Sequence, residues 1–264
     1  RRYLCTEAGR HTLPGGDQIS QHMQRHKPST KEDYLRRINV IAEYINAHLD
    51  EDIDLGRLAD LSGFSRWHFH RITRAFLGEP IGSYIQRVRI GTAARLLRYS
   101  DMPVNELAYR VGYDVPSSRP KAFRQLYGIS PAGYRKNKNF TIMKPIQINP
   151  ELDLGFELRD TQTRQAVYIR LTGDYSGLSY GEAWSRLWQF VRENNLSTGA
   201  CPDHIAVYHD DPKVTEPGKL RTDICLTVDS PATPRGEIGV KEISEGHYAV
   251  FRYTGPYSEL GSVY

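Results

Sequence analysis

The stretch "DLGRLADLSGFSRWHFHRITRAF", residues 54–76, reads as two short helices joined by a turn at Gly63. The second helix has two unlike faces. At the 3.6-residue period, Phe69, Ile72, Ala75 and Phe76 fall on one side, and Arg66, Trp67, His70, Arg71 and Arg74 on the other. The plain alternative is a solvated amphipathic helix with one stray Trp. Helix, Gly-containing turn, helix is the arrangement in which the second helix enters the DNA major groove while the first crosses the backbone. On that reading, Arg66, Arg71 and Arg74 reach guanine edges or phosphates, His70 donates to either, and Trp67 lies on a sugar or a thymine methyl.

The same pattern returns further along the chain. Leu58, Ala59, Gly63 and Phe64 recur as Leu107, Ala108, Gly112 and Tyr113, an offset of 49. Arg71, Arg74, Gly78 and Tyr84 recur as Lys121, Arg124, Gly128 and Tyr134, an offset of 50, so one residue is inserted in the second turn. Gly63 and Gly112 stand where the chain reverses, a place that favours positive φ. Between the copies, "IGSYIQRVRIGTAARLLR" (81–98) has no Pro and predicts a helix of about 27 Å, against roughly 34 Å between successive major grooves on one DNA face. One chain can then read a non-palindromic site, with some bending of the duplex. The copies are not equal. Arg119 stands where the repeat has core-facing Phe69, and Pro120 suits only the first turn of a helix, so the second reader is predicted to be shortened or shifted.

The whole chain sets the frame for this motif. Its 264 residues exceed one typical domain, and its 39% hydrophobic and 25% charged content is that of an ordinary globular protein. Residues 1–30 lack helical or strand periodicity and read as a loose tail. Residues 31–136 are helical throughout, 137–150 read as a linker, and 151–264 hold short β-rich runs with a helix near 178–194. Lys and Arg outnumber Asp and Glu by five over 31–136 and are outnumbered by four over 137–264, so one half suits a polyanion and the other does not. No apolar run reaches membrane-spanning length. Cys5, Cys201 and Cys225 are an odd, widely spaced set, which favours the reducing cytoplasm over disulfides or zinc.

Within residues 33–136, "LADLSGFSRWHFHRITRAFLGEPIGSYIQRVRI" and "NELAYRVGYDVPSSRPKAFRQLYGISPAGYRK" resemble the two signature units of the AraC/XylS transcription regulators, and "SRWHFHR" is similar to the MarA/Rob branch. The resemblance implies contacts to double-stranded DNA from Arg66, Trp67, His70 and Arg71 in the first reader and from Ser117, Ser118 and Lys121 in the second. Arg124 joins them as the repeat's counterpart of Arg74. It also implies RNA polymerase as a partner. Arg119 and Pro120 depart from the family pattern.

The β-rich half carries its own duplication: "RLTGDYSGL" (170–178) returns as "RYTGPYSEL" (252–260), six of nine letters identical. Two such units packed about a pseudo-two-fold axis leave a cleft. The aromatic residues Tyr168, Trp184, Trp188, Tyr208, Tyr248 and Phe251, with Asp223, are candidates to line it for a flat, amphipathic or cationic small molecule. The alternative, open for each aromatic, is plain strand packing. "VYHDDP", "LRTDICLTV" and "GHYAVFRYTGPYSEL" resemble the GyrI-like effector-binding domain. The fold expected is therefore an all-α double helix-turn-helix domain followed by an α+β domain with a duplicated antiparallel unit. The second copy reaches Tyr264 before its own helix, which reads as a chain cut short; the resemblance implies that the absent segment supplies an acidic pocket residue. No phosphate loop, His-Glu-x-x-His or Gly-x-Ser-x-Gly motif is present, so no cofactor, metal or enzymatic activity is expected. His22 and His26 have ligand-like spacing without a third ligand. A hydrolase acting on a strained small molecule is the alternative reading; it needs a carboxylate of raised pKa, with Asp223, Glu182 or Glu245 as candidates. A protein-binding module is a third.

Overall fold

A computed structural model describes residues 4–7, 30–112, 119–137, 155–197 and 201–254. The helical half runs α1 (Thr30–Ala47), α2 (Leu55–Ser62), α3 (Arg66–Leu77), α4 (Ile81–Tyr99), α5 (Val104–Arg110), α6 (Arg119–Tyr127) and α7 (Pro131–Lys136). Caps and turn residues account for the boundaries. Asp54 caps α2, accepting from the N–H of Gly56 at 2.9 Å and of Arg57 at 3.3 Å, and Gly63 ends it at φ 65°. Ser65 caps α3, and Gly78 closes it at φ 74°. Pro80 precedes α4, whose 19 residues span about 28 Å.

Two separate cores lie along α4. The first joins Ile38, Ile41 and Ile45 of α1, Leu58, Phe64, Phe69 and Ile72 of the first unit, and Ile81, Tyr84, Ile85 and Val88 of α4. The second joins Ile90, Ala93, Ala94 and Leu97 of α4 to Leu107, Val111, Phe123, Tyr127 and Tyr134. It also contains Val214, from the other half of the chain.

The β-rich half has strands β1 (Leu4–Glu7), β2 (Gly155–Thr161), β3 (Arg164–Thr172), β4 (His204–Tyr208), β5 (Arg221–Thr227), β6 (Ile238–Ile243) and β7 (Gly246–Arg252), with α8 (Tyr180–Glu193) after β3. A five-stranded antiparallel sheet has the order β1-β4-β5-β3-β6, and β2 pairs with β7 in a separate ribbon. Leu4–Glu7 correct the reading of a loose tail: they pair with His204–Val207 at the sheet edge. The two copies of the repeat begin in different sheets, β3 at the heart of one and β7 in the ribbon. Residues 255–260 of the second copy lie outside the described residues.

Alternation along the strands gives the sheet two covered faces. Val167, Ile169, Ile224 and Leu226 pack on Ala183, Leu187, Phe190 and Val191 of α8. The opposite face carries Ala166, Tyr168, Cys225, Ile205, Val207 and Ile243 and turns toward α1. Gly239 lets Tyr168 lie across β6, since a Cβ there would meet the ring at 2.4 Å. Among the described residues, no helix is long and apolar enough to cross a membrane.

Candidate nucleic-acid interface and the buried charges behind it

On α3, Phe69, Ile72 and Thr73 are buried; Thr73, not Ala75, completes the inward stripe, its hydroxyl donating to the Phe69 carbonyl at 2.8 Å. Arg66, His70, Arg71 and Arg74 are exposed, and Trp67 among them is 76% exposed. Trp67 and Arg71 are arranged as a pair: the Arg71 guanidinium lies 5.3 Å from the indole centroid and its Nη2 lies 3.4 Å from His68 Nε2. Arg66 and His70 line an open cleft of about 270 Å³ with Asp54, Leu55, Gly56 and Phe69. The turn beneath is braced from α1, where Arg37 Nη1 donates to the carbonyls of Ser62 (3.1 Å) and Gly63 (3.2 Å).

In the second unit, α6 buries Ala122, Phe123 and Tyr127 and exposes Lys121 and Arg124. Gly112 turns at φ 74° in the place Gly63 holds in the first unit. Ser117 and Ser118 lie outside the described residues, as do the side chains of Arg119 and Pro120; α6 itself runs from Arg119.

The candidate ligand residues do not converge. Trp184 and Trp188 flank His204 on the α8 side of the sheet, with ring centroids 4.8 and 5.5 Å away, and Trp188 Nε1 bonds His204 Nε2 at 3.0 Å. Tyr208, on the same strand as His204, packs edge-on against Tyr175 at 4.8 Å. Tyr248 and Phe251 belong to the β2–β7 ribbon; the Tyr248 hydroxyl donates to the Ser244 carbonyl at 2.8 Å and Phe251 is 54% exposed. Tyr168 and Asp223 face α1.

There Asp223 is the centre of a charge cluster that the sequence did not disclose. It is fully buried. Arg170 donates Nε to Oδ1 and Nη2 to Oδ2, both at 2.7 Å, His209 Nε2 lies 2.7 Å from Oδ2, and Lys241 Nζ completes the set. Glu43 of α1 reaches across to Arg170 and to Lys241 (3.2 Å). Burial opposes both carboxylate charges, but Arg170 and its neighbours outweigh it, holding Asp223 well below the usual range and Glu43 below it. Burial drives His209 the other way, below its ordinary value, with Asp223 only partly offsetting it; the ring is neutral near pH 7 and donates to the carboxylate. Glu43, His209 and Asp223 bring ligand atoms within 4.8 Å of one another, yet Arg170 and Lys241 already fill the place a metal ion would take. Next to this cluster Arg221 grips Asp210 through two bonds of 2.7 and 2.8 Å and donates Nη1 to the Tyr84 hydroxyl (2.7 Å) and to Asn46 Oδ1 (3.2 Å) of the helical half. None of the carboxylates weighed for a hydrolase has the surroundings that would raise its pKa: Arg170 and its neighbours hold Asp223 ionised, and Glu182 and Glu245 are exposed.

Comparison with known proteins agrees with this architecture. Residues 58–137 match a helix-turn-helix domain model, and residues 156–264 match the GyrI-like small molecule binding domain. The HTH-type transcriptional activator AarP of Providencia stuartii is 36% identical over 98 residues, 37% of this chain and 73% of that protein. The right origin-binding protein of Escherichia coli K12 is 30% identical over 112 residues, 42% of this chain and 38% of its own length. The DNA-binding domain of AdpA, solved with a target DNA, is 33% identical and covers 38% of this chain and 90% of that one at a TM-score of 0.37; the family assignment rests on the sequence matches alone. Those sequence matches define a DNA-binding transcription regulator. The chain belongs to the AraC/XylS family, and a GyrI-like domain follows its reading half.

Proposed function

We propose that the chain reads double-stranded DNA in the cytoplasm through two unequal helices and that a small molecule held by the GyrI-like half adjusts that reading. The exposed Trp67–Arg71 pair on a face that also holds Arg66, His70 and Arg74 carries the proposal. Lys121 and Arg124, with Ser117 and Ser118 before them, form the second reader. RNA polymerase is the partner expected from the family. Of the ligand candidates, Trp184 and Trp188 around His204 are the group best suited to a flat lipophilic cation, because ring faces attract cations and the α8 face is otherwise apolar.

Counterion release tests the DNA reading. Neutralising several phosphates should make log affinity fall linearly with log salt at a slope of roughly −4 to −8. A flat response in a gel-shift titration with a duplex selected from a random pool would sink it. For the ligand, a lipophilic quaternary ammonium dye should quench Trp184 or Trp188 saturably and leave unchanged; unsaturable quenching would remove the sensor.

A further inference from the structure

Between β4 and β5 the chain takes residues 209–220 to reverse direction, where an ordinary hairpin needs about two to five. The extra length goes into the helical half. Val214, only 2% exposed, lies in the second core among residues of α4, α5, α6 and α7. Its own turn is tightly tied: the N–H groups of Val214 and Thr215 both donate to the Asp211 carbonyl, at 3.0 and 2.9 Å, and Lys213 N–H donates to Asp211 Oδ1 at 2.8 Å. Asp211 Oδ2 also accepts from the Tyr99 hydroxyl at the end of α4 (3.3 Å), and Thr215 is buried beside Gly91. At the far end of the same segment, Arg221 is bonded to Tyr84, a member of the first core. Tyr175 secures the base, its hydroxyl donating to the carbonyls of Asp210 and Arg221 at 2.9 and 3.0 Å. The segment therefore meets α4, the helix that spaces the reading units, at Tyr84 in the first core and at Gly91 and Tyr99 beside the second.

We propose that residues 209–221 are the coupling element of the molecule: Val214 completes the core behind the second reader while Arg221 holds the first, so a shift of the sheet that carries this segment changes the spacing of the two readers. The proposal rests on the DNA-reading faces assigned above. It places the control of affinity at the second unit, because only that core loses a member when the halves separate. By linkage, DNA that fixes the readers must also steady the segment.

Hydrogen exchange on the full chain, with and without a saturating duplex selected from a random pool, tests this without any effector. DNA should slow exchange at Val214 and Thr215 about fivefold or more. Val214→Ala should remove most of that slowing while α3 stays protected. The same variant should bind the selected duplex about fivefold more weakly, yet bind normally to a duplex whose second half-site is scrambled. Protection of α3 with no change at 209–221, or an equal loss on both duplexes, would overturn the coupling. No protection of α3 at all would instead remove the DNA reading beneath it. Should Val214→Ala fail to fold, Tyr99→Phe, which loses only the hydroxyl facing Asp211, takes its place under the same criteria.

Discussion

The first helix-turn-helix unit fills its core with residues drawn from positions 34–88, whereas the second takes Val214 from beyond its own helices, 80 residues past Tyr134 in the chain (214 − 134). Both units share turn glycines at matching φ and a cationic outer face. Repetition in the sequence thus yields two copies of a shape but not two copies of a stability. The first reader draws its apolar core from the helical half alone and meets the sheet only through polar contacts such as Glu43–Arg170 and Tyr84–Arg221, whereas the second takes an apolar core member from the half that a ligand would address.

The sharpest way to break this contrast is Asp223→Asn. The substitution keeps the shape but leaves Arg170 and Lys241 buried opposite Glu43 alone, and removing one partner of a buried pair costs about 3–5 kcal/mol. Urea unfolding should show that loss, and hydrogen exchange should rise more in α6 than in α3. Loosening of both helices to the same degree would mean that the halves do not hold the second unit.

Next in size are the readers themselves. Arg71→Ala removes a stacked guanidinium and should weaken specific binding by about 1–3 kcal/mol, or roughly 5- to 150-fold. Lys121→Ala removes a point charge from a nine-residue helix and should cost clearly less. Competition with each half-site scrambled in turn measures the difference; equal losses would make the readers equivalent.

How much of this was legible depends on where the signal lies. The sequence predicts the α4 spacer over 81–98 and the structure has it at Ile81–Tyr99, because an unbroken helical period between Pro80 and Ser100 leaves little choice. The outer face of α3 was legible for the same reason. Strands β2 and β6 carry little signal: in "GFELRDT" and "IGVKEI" charges fall on both faces, so the apolar–polar alternation of a strand is weak. β1 is four residues long, below any periodicity. The charge cluster was hidden differently. Arg170, Asp223 and Lys241 sit in separate strands, and only the registers of β5 and β6 on β3, Arg170↔Asp223 and Ala166↔Lys241, bring them together. An Asp in the middle of "RTDICLT" was the available signal, since an acid inside a strand buried on both faces needs a cation opposite. Val214 gave no signal; a single Val in "HDDPKVTEPGK" looks like any loop residue.

The smallest expected effect is a pH dependence, and it tests the contrast under mild conditions. His209 lies among Asp223, Arg170, Arg221, Lys241 and Glu43, and burial lowers its pKa below the ordinary 6.5. In the unfolded chain the ring binds a proton near pH 6.5; in the fold it does so only at lower pH. Between those two values the unfolded state holds more protons, so stability must fall as the pH is lowered from about 6.5, by at most about 1.4 kcal/mol per unit. Glu43 and Asp223 are depressed and keep their contribution until the pH drops below their ordinary range near 4, so they do not enter this window. His209→Gln retains a donor for Asp223 and cannot titrate; its urea midpoint should be flatter than that of the unsubstituted chain between about pH 7 and 5.5. Because His209 is next to Asp210 at the start of the coupling segment, acidification should raise exchange at Val214 and α6 before α3. An identical pH slope in His209→Gln would show that this ring does not govern the joint, and α3 opening first would reverse the order of dependence between the two units.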